Sequence, residues 1–166
     1  MKKQAIIYSF RAKKTGQIAQ KIVRHFGKHN LEILDADTLT EKEFLKYDFL
    51  ILGVPTWFDG ELPNYWDEFV PALEDMDLSG KEIALFGLGD QVGYPENFCD
   101  GIGILAAILK ERGAKIAGKW PLDGYDFESS KAVENNFFLG LPLDQENQSQ
   151  LTEKRINDWV KLLIKK

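Results

Sequence analysis

Short apolar runs that alternate with stretches of helical periodicity constrain this chain more than any other feature in it. Gln4 to Tyr8 reads as a first strand, Leu31 to Leu34 as a second, and Asp48 to Gly53 as a third. Glu82 to Phe86 is the fourth, stopped by a glycine, and Lys115 to Gly118 opens a fifth that Phe137 to Leu141 resumes. Between them Ile18, Ala19, Ile22, Val23 and Phe26 recur at helical spacing, with Gly27 as the stop. Thr40 to Leu45 predicts a short helix, Leu62 to Leu73 an amphipathic one, Asp100 to Arg112 another before Gly113, and Thr152 to Lys165 the last. Parallel strands need crossover connections, so the alternation predicts an α/β fold with a five-stranded parallel sheet covered on both faces. For five strands the common doubly wound order is 2-1-3-4-5, with the ligand crevice beyond the carboxyl ends of the strands beside strand 1. That geometry nominates three loops: Ser9 to Thr15, Val54 to Glu61 and Gly87 to Phe98.

Composition narrows the function classes. At 166 residues, 44% hydrophobic and 28% charged, the chain fits one soluble domain running through residues 1–166. It has no apolar run of membrane-spanning length, and Gln4 to Tyr8 is too short for a signal-peptide core, so the cytoplasm is expected. Cys99 is the single cysteine, which excludes an internal disulfide and a cysteine-cluster metal site. His25 and His29 share a helix face but lack the third ligand that zinc needs. Charge is unevenly spread. Residues 1–31 hold Lys2, Lys3, Arg11, Lys13, Lys14, Lys21, Arg24 and Lys28 and no acid, whereas Asp59, Glu61, Asp67, Glu68, Glu74, Asp75 and Asp77 follow one another with no base. The acidic stretch disfavours nucleic acid and would steer a basic protein partner.

Trp57 and Tyr94 lie in loops that follow neighbouring strands. Either ring alone reads equally as a lid on the core; together at the crevice they make a slot for a planar conjugated ligand. The Ser9 to Thr15 loop has the place of a phosphate cradle, with Thr15 as cap and phosphate ligand where orphan N–H groups favour an anion. There is no Walker motif, no Gly-x-Gly-x-x-Gly, and no nucleophile elbow or Cys/His pair, so any chemistry comes from a bound cofactor.

Val54-Pro55-Thr56-Trp57, Gly60-Glu61-Leu62, Gly87-x-Gly89-Asp90-Gln91-x-Gly93-Tyr94, Asn97-Phe98, Asp123-Gly124-Tyr125-Asp126-Phe127, Ser130-Lys131-Ala132 and Leu143-Asp144-x-Glu146-Asn147-Gln148-Ser149 together resemble a long-chain flavodoxin. The interrupted fifth strand is similar to the insertion that marks that subfamily. The resemblance implies a flavodoxin-like fold, FMN held non-covalently, and one-electron transfer between redox proteins in place of ferredoxin. It also implies a carrier rather than an enzyme, a monomer, and basic partners such as a flavodoxin/ferredoxin reductase and electron acceptors. Under it, Trp57 and Tyr94 sandwich the isoalloxazine. The backbone of Thr56, Trp57, Phe58 and Asp59 lines its polar edge, with Gly60 following in the same cofactor-binding loop; Gly87, Leu88, Gly89, Asp90 and Asn97 add flavin and ribityl contacts, and Asp144 approaches the ribityl chain.

The first loop departs from the family pattern of hydroxyls and glycine. Phe10, Arg11, Ala12, Lys13, Lys14 and Thr15 stand there, and only Thr15 keeps its hydroxyl. A cradle rebuilt around Arg11 or Lys13 holds phosphate by charge-assisted bonds instead. Two other readings stay open: an FMN-dependent quinone reductase, and an interaction module with weakened or lost FMN binding. For a carrier, desolvation and the negative charge of Asp59, Glu61 and Asp90 are expected to lower the second reduction potential. A hydrogen bond to a backbone carbonyl at Phe58 or Asp59 adds only about 1 kcal/mol.

Overall fold

The computed structural model describes residues 2–165. Its strands are β1 (Gln4–Tyr8), β2 (Glu32–Asp35), β3 (Phe49–Gly53), β4 (Glu82–Leu88) and β5 (Lys115–Ala117), all parallel in the order β2-β1-β3-β4-β5. Every residue of β3 is buried, as a central parallel strand covered on both faces requires.

Successive residues face opposite ways, and each face builds its own core. Ile6, Tyr8, Phe49, Ile51, Ala84 and Phe86 pack against helices α1 (Lys13–Phe26) and α6 (Thr152–Ile164) through Ile18, Ile22, Phe26, Ile156, Trp159 and Leu163. On the other face Ile7, Leu50, Leu52, Ile83 and Leu85 meet Phe44 of α2 (Glu41–Leu45), Trp66 of α3 (Asn64–Asp67), Leu73 of α4 (Val70–Glu74) and Leu105 and Leu109 of α5 (Asp100–Glu111). The buried indole N–H groups are satisfied: Trp66 donates to the Gly53 carbonyl at 2.8 Å and Trp159 to that of Gly118 at 2.7 Å. Thr40 closes a capping box with Glu43 at the start of α2, which explains why so short a helix forms.

Three boundaries differ from the sequence expectation. The single helix expected over Leu62 to Leu73 is two, α3 and α4, because Pro71 offers no N–H to continue the first and instead starts the second. Helix α1 begins at Lys13, two residues before the expected cap; Ala12 is its N-cap without a side-chain bond, and Thr15 is buried inside the first turn.

The third difference concerns the resumed fifth strand. It is β9 (Leu141–Leu143), which pairs with Phe86, Gly87 and Leu88 on β4, while β5 pairs with Glu82, Ile83 and Ala84. Two collinear pieces thus fill the fifth position. Phe137 and Phe138 are not part of it. They form β8 (Phe137–Phe138), the middle of a small antiparallel sheet with β6 (Trp120–Pro121) and β7 (Val133–Glu134). Phe138 turns inward there, 4.9 Å from Tyr125 and 6.0 Å from Phe98 between ring centroids. No described helix is long and apolar enough to cross a membrane.

Candidate functional site

An open groove of about 490 Å³ lies beyond the carboxyl ends of β3 and β4, where the strand order predicts a ligand. Thr56, Trp57 and Phe58 line it from the loop after β3, and Gly89, Asp90, Tyr94 and Asn97 from the loop after β4. Trp57 and Tyr94 remain 37% and 51% exposed, so neither serves as a lid on the core. Trp57 is braced from behind, its ring edge-on to Tyr65 at 6.0 Å and 90°.

Each wall is fixed by its own local chemistry. Residues Trp57 and Glu61 exchange backbone hydrogen bonds of 2.8 and 2.7 Å, making a tight hairpin with Phe58, Asp59 and Gly60 at its tip. Phe58 takes φ +49° there, a left-handed conformation that costs a bulky residue about 1–2 kcal/mol. Across the groove Asp90 accepts the N–H groups of Val92 at 3.1 Å and Gly93 at 2.8 Å, and Asn147 Nδ2 at 2.8 Å. The Gly93 amide, with Asn147 and Val92 after it, holds the Asp90 carboxyl below its ordinary pKa against the opposing effect of burial.

Behind this second wall sits Asp144, fully buried and therefore facing the 89–94 loop from inside rather than lining the groove. Its carboxylate accepts from Gln91 N at 3.0 Å and Nε2 at 2.8 Å, from Glu146 N and Asn147 N, and from Asn147 Nδ2. Gln91 continues to Gln148 at 2.9 Å, Gln148 accepts Arg155 at 2.8 Å, and the Arg155 guanidinium stacks 4.0 Å above Tyr125. Gly87 is also internal, since a Cβ there would stand 2.4 Å from the Val54 carbonyl, and Leu88 packs toward the α1/α6 core. Asp59 is exposed at the hairpin tip, and Gly60 is buried with φ +98°.

The first loop is largely occupied with its own bonds. Phe10 N donates to Asp35 at 3.2 Å, Arg11 N to Ser9 Oγ at 3.3 Å and Ala12 N to the Ser9 carbonyl at 3.0 Å. Arg11 grips Asp37 with two bonds of 3.2 and 2.9 Å, which lowers the Asp37 pKa and raises that of Arg11. Lys14 reaches Glu146 at 2.8 Å. Lys13 alone among the three cations makes no ion pair with any described residue. It sits where the orphan N–H groups of the first helical turn open outward. Phe10 turns onto Tyr8, at 5.3 Å between centroids, and does not line the groove.

Sequence reasoning missed three residues that shape the site. Tyr65 braces Trp57 with a buried hydroxyl that finds no acceptor among the described residues, and burial, then the charge of Asp37, pushes its pKa up. Asp37 neutralises Arg11. Asp100 lies buried beneath both walls. None had a legible spacing signal: Asp37 meets Arg11 26 residues away, Tyr65 meets Trp57 of another loop, and Asp100 takes its backbone donor from Lys131, 31 residues on.

A parallel sheet in this order with a groove of aromatic walls at its carboxyl edge defines the flavodoxin class of α/β proteins. The family model described as Flavodoxin matches residues 6–159, and the chain belongs to that family. It is 43% identical to the flavodoxin of Nostoc sp. over 159 residues, covering 96% of this chain and 94% of that one. Flavodoxin 1 of Escherichia coli is also 43% identical, over 148 residues that span 89% and 84% of the two chains. Among solved structures, Fusobacterium nucleatum flavodoxin bound to flavin mononucleotide superposes with a TM-score of 0.94 at 37% identity, covering 99% and 98% of the two chains. The K13G mutant of that protein, also bound to flavin mononucleotide, gives 0.94 at 36% identity over 99% and 96%.

Proposed function

We propose that this flavodoxin binds FMN non-covalently in the groove between Trp57 and Tyr94 and carries single electrons between redox proteins. The observation that carries the reading is the groove itself, which keeps two aromatic rings open to solvent at the switch point of a flavodoxin-family chain. The fit to flavin is good on this chain's own terms: a flat slot with Gly89 in its wall, and polar groups of Thr56, Asp90 and Asn97 around it. FMN supplies the one-electron chemistry when bound. The protein's residues stack against it, exclude water from its faces and set the charge around it. Neither the quinone-reductase nor the flavin-free reading is favoured, given relatives named flavodoxin at 43% identity over most of the chain.

Trp57, Tyr94, Thr56, Phe58, Gly89, Asp90 and Asn97 would touch the ring and ribityl chain. Asp59 and Gly60 act through the hairpin, and Gly87, Leu88 and Asp144 by supporting the loop after β4. For the phosphate we assign Lys13, with the first-turn N–H groups of Lys13, Lys14 and Thr15, since Arg11 and Lys14 are already paired. Phe10 and Ala12 shape the loop without a polar contact. The strap of residues 118–140 between β5 and β9 supports membership of the long-chain subfamily. The acidic run from Asp59 to Asp77 suits basic partners such as a reductase, and a cytoplasmic monomer of one domain is the working state.

Titrating apoprotein with FMN and with riboflavin tests this reading. FMN is expected to quench tightly and riboflavin far more weakly. Lys13→Ala is expected to weaken FMN by about 10- to 100-fold, the worth of one charge-assisted bond, and to leave riboflavin unchanged. Equal loss for both ligands would remove Lys13 from the phosphate site, and no quenching by either would end the carrier reading.

A further inference from the structure

We infer that Asp100 is a positioning residue that locks the two walls of the flavin groove together and places a fixed negative charge behind them. The inference rests on the FMN reading above. Asp100 is the first residue of α5 and 1% exposed. Its Oδ2 accepts Asn97 Nδ2 at 3.0 Å and its Oδ1 accepts the Lys131 backbone N–H at 2.8 Å. The next residue, Gly101, donates its N–H to Thr56 Oγ1 at 2.9 Å. Gly60 packs directly against this pair, for a Cβ there would lie 2.7 Å from Asp100 Oδ2 and 2.8 Å from Asn97 Nδ2.

Three separate segments therefore meet at one carboxylate, the hairpin tip at Gly60, the Asn97 end of the second wall and the strap at Lys131, while the neighbouring Gly101 N–H ties in Thr56 of the loop after β3. Thr56 and Asn97 both line the groove, so the spacing of the walls depends on this junction. The bond from Nδ2 also sets the amide of Asn97, turning its nitrogen to Asp100 and leaving its Oδ1 for other donors.

Asp100 makes no ion pair with a described residue, and N–H donors alone hold it. A buried charge so held is screened far less by solvent and salt than the exposed Asp59 and Glu61. Its reach is visible at the adjacent Cys99, whose thiol is pushed up by burial first, then by Asp144 and Asp100. Extra negative charge on a bound flavin meets the same field. Asp100 thus opposes full reduction through charge and tunes binding through geometry.

The test uses the full chain with Asp100→Asn and Asp100→Glu. In the apoprotein, amide hydrogen exchange at Gly101 and Lys131 is expected to speed up at least about tenfold in both variants; unchanged exchange overturns the lock. In the FMN-loaded protein, Asp100→Asn is expected to raise the second one-electron potential. The expected gain is about tenfold in relative affinity for the fully reduced cofactor, equivalent to about 59 mV. That shift should persist when ionic strength is raised tenfold, while the shift from Asp59→Asn with Glu61→Gln should collapse. Asp100→Glu keeps the charge and should keep the potential near the parent value. A potential shift as large in the Glu variant, or one abolished by salt, overturns the role of charge. Failure of the parent apoprotein to take up FMN would instead overturn the carrier reading, and the exchange measurement would still decide whether Asp100 locks the loops.

Discussion

Asp144→Ala should lower the stability of the apoprotein by about 3–5 kcal/mol, because several neutral N–H donors lose one buried charged acceptor at about 1–3 kcal/mol each. Five distinct N–H groups converge on this fully buried carboxylate: Gln91 N and Nε2, Glu146 N, Asn147 N and Asn147 Nδ2. Alanine leaves Gln91 N, Glu146 N and Asn147 N without this acceptor, while Gln91 Nε2 keeps Gln148 and Asn147 Nδ2 keeps Asp90, and each buried unsatisfied donor costs about 1–3 kcal/mol. Some will find water at the exposed Asn147, so the full sum is not reached. Urea denaturation of the apoprotein reads the effect directly, and no flavin is needed. FMN affinity should fall too, because Gln91 anchors the loop that carries Asp90 and Tyr94. A loss below about 1 kcal/mol would mean that the loop is held by something other than Asp144.

Gly103→Ala is expected to destabilise by about 2 kcal/mol or more, the sign being opposite to that usual for an exposed helix glycine. In a helix interior alanine is favoured over glycine by about 0.5–1 kcal/mol. Here a Cβ would stand 2.0 Å from the Lys131 carbonyl oxygen and 2.7 Å from the Ala132 nitrogen. Backbone cannot rotate away as a side chain can, so overpacking wins over propensity. The strap at 130–132 would have to lift from α5, breaking the Lys131 bond to Asp100. Thermal unfolding of the apoprotein checks the stability, and faster proteolysis between Ser129 and Ala132 would locate the damage. An unchanged or raised midpoint would show that the strap is free to move.

The sheet was legible because its signal is local: each buried strand is a short apolar run, and the order follows from the crossover rule. The aromatic pair was legible for the same reason, since Trp57 and Tyr94 fall in loops that the strand order itself singles out. What failed to show was set by distant contacts. Phe137 and Phe138 look like a buried strand, yet only Phe138 is buried, in an aromatic cluster with Phe98, Tyr125 and Phe127, while Phe137 is exposed. Pro71 sits at a position that fits the periodicity of its neighbours, so the pattern ran across a helix break. The cap of α1, Ala12, lies three residues before the Thr15 that the sequence suggests, because the first turn is polar and carries no apolar mark. Asp144 is marked only through the family resemblance and Asp100 by nothing in the pattern; the donors that complete their burial come from segments far along the chain, Lys131 for Asp100 and Gln91 for Asp144. The choice between Arg11 and Lys13 as the phosphate cation is not legible in the sequence, because the partner that engages Arg11, Asp37, lies 26 residues along the chain.

The division of the fifth strand position between β5 and β9 bears on how the molecule behaves in crowded surroundings. A sheet edge is a template on which another chain can add a strand, and its danger grows with its length and flatness. Each piece is three residues long, shorter than most strands that pair stably, and the chain leaves the sheet between them. An incoming strand could match one piece or the other but not run along both. Resistance to self-association on this side is therefore a matter of interrupted geometry, and it should survive substitutions that alter the protein's net charge.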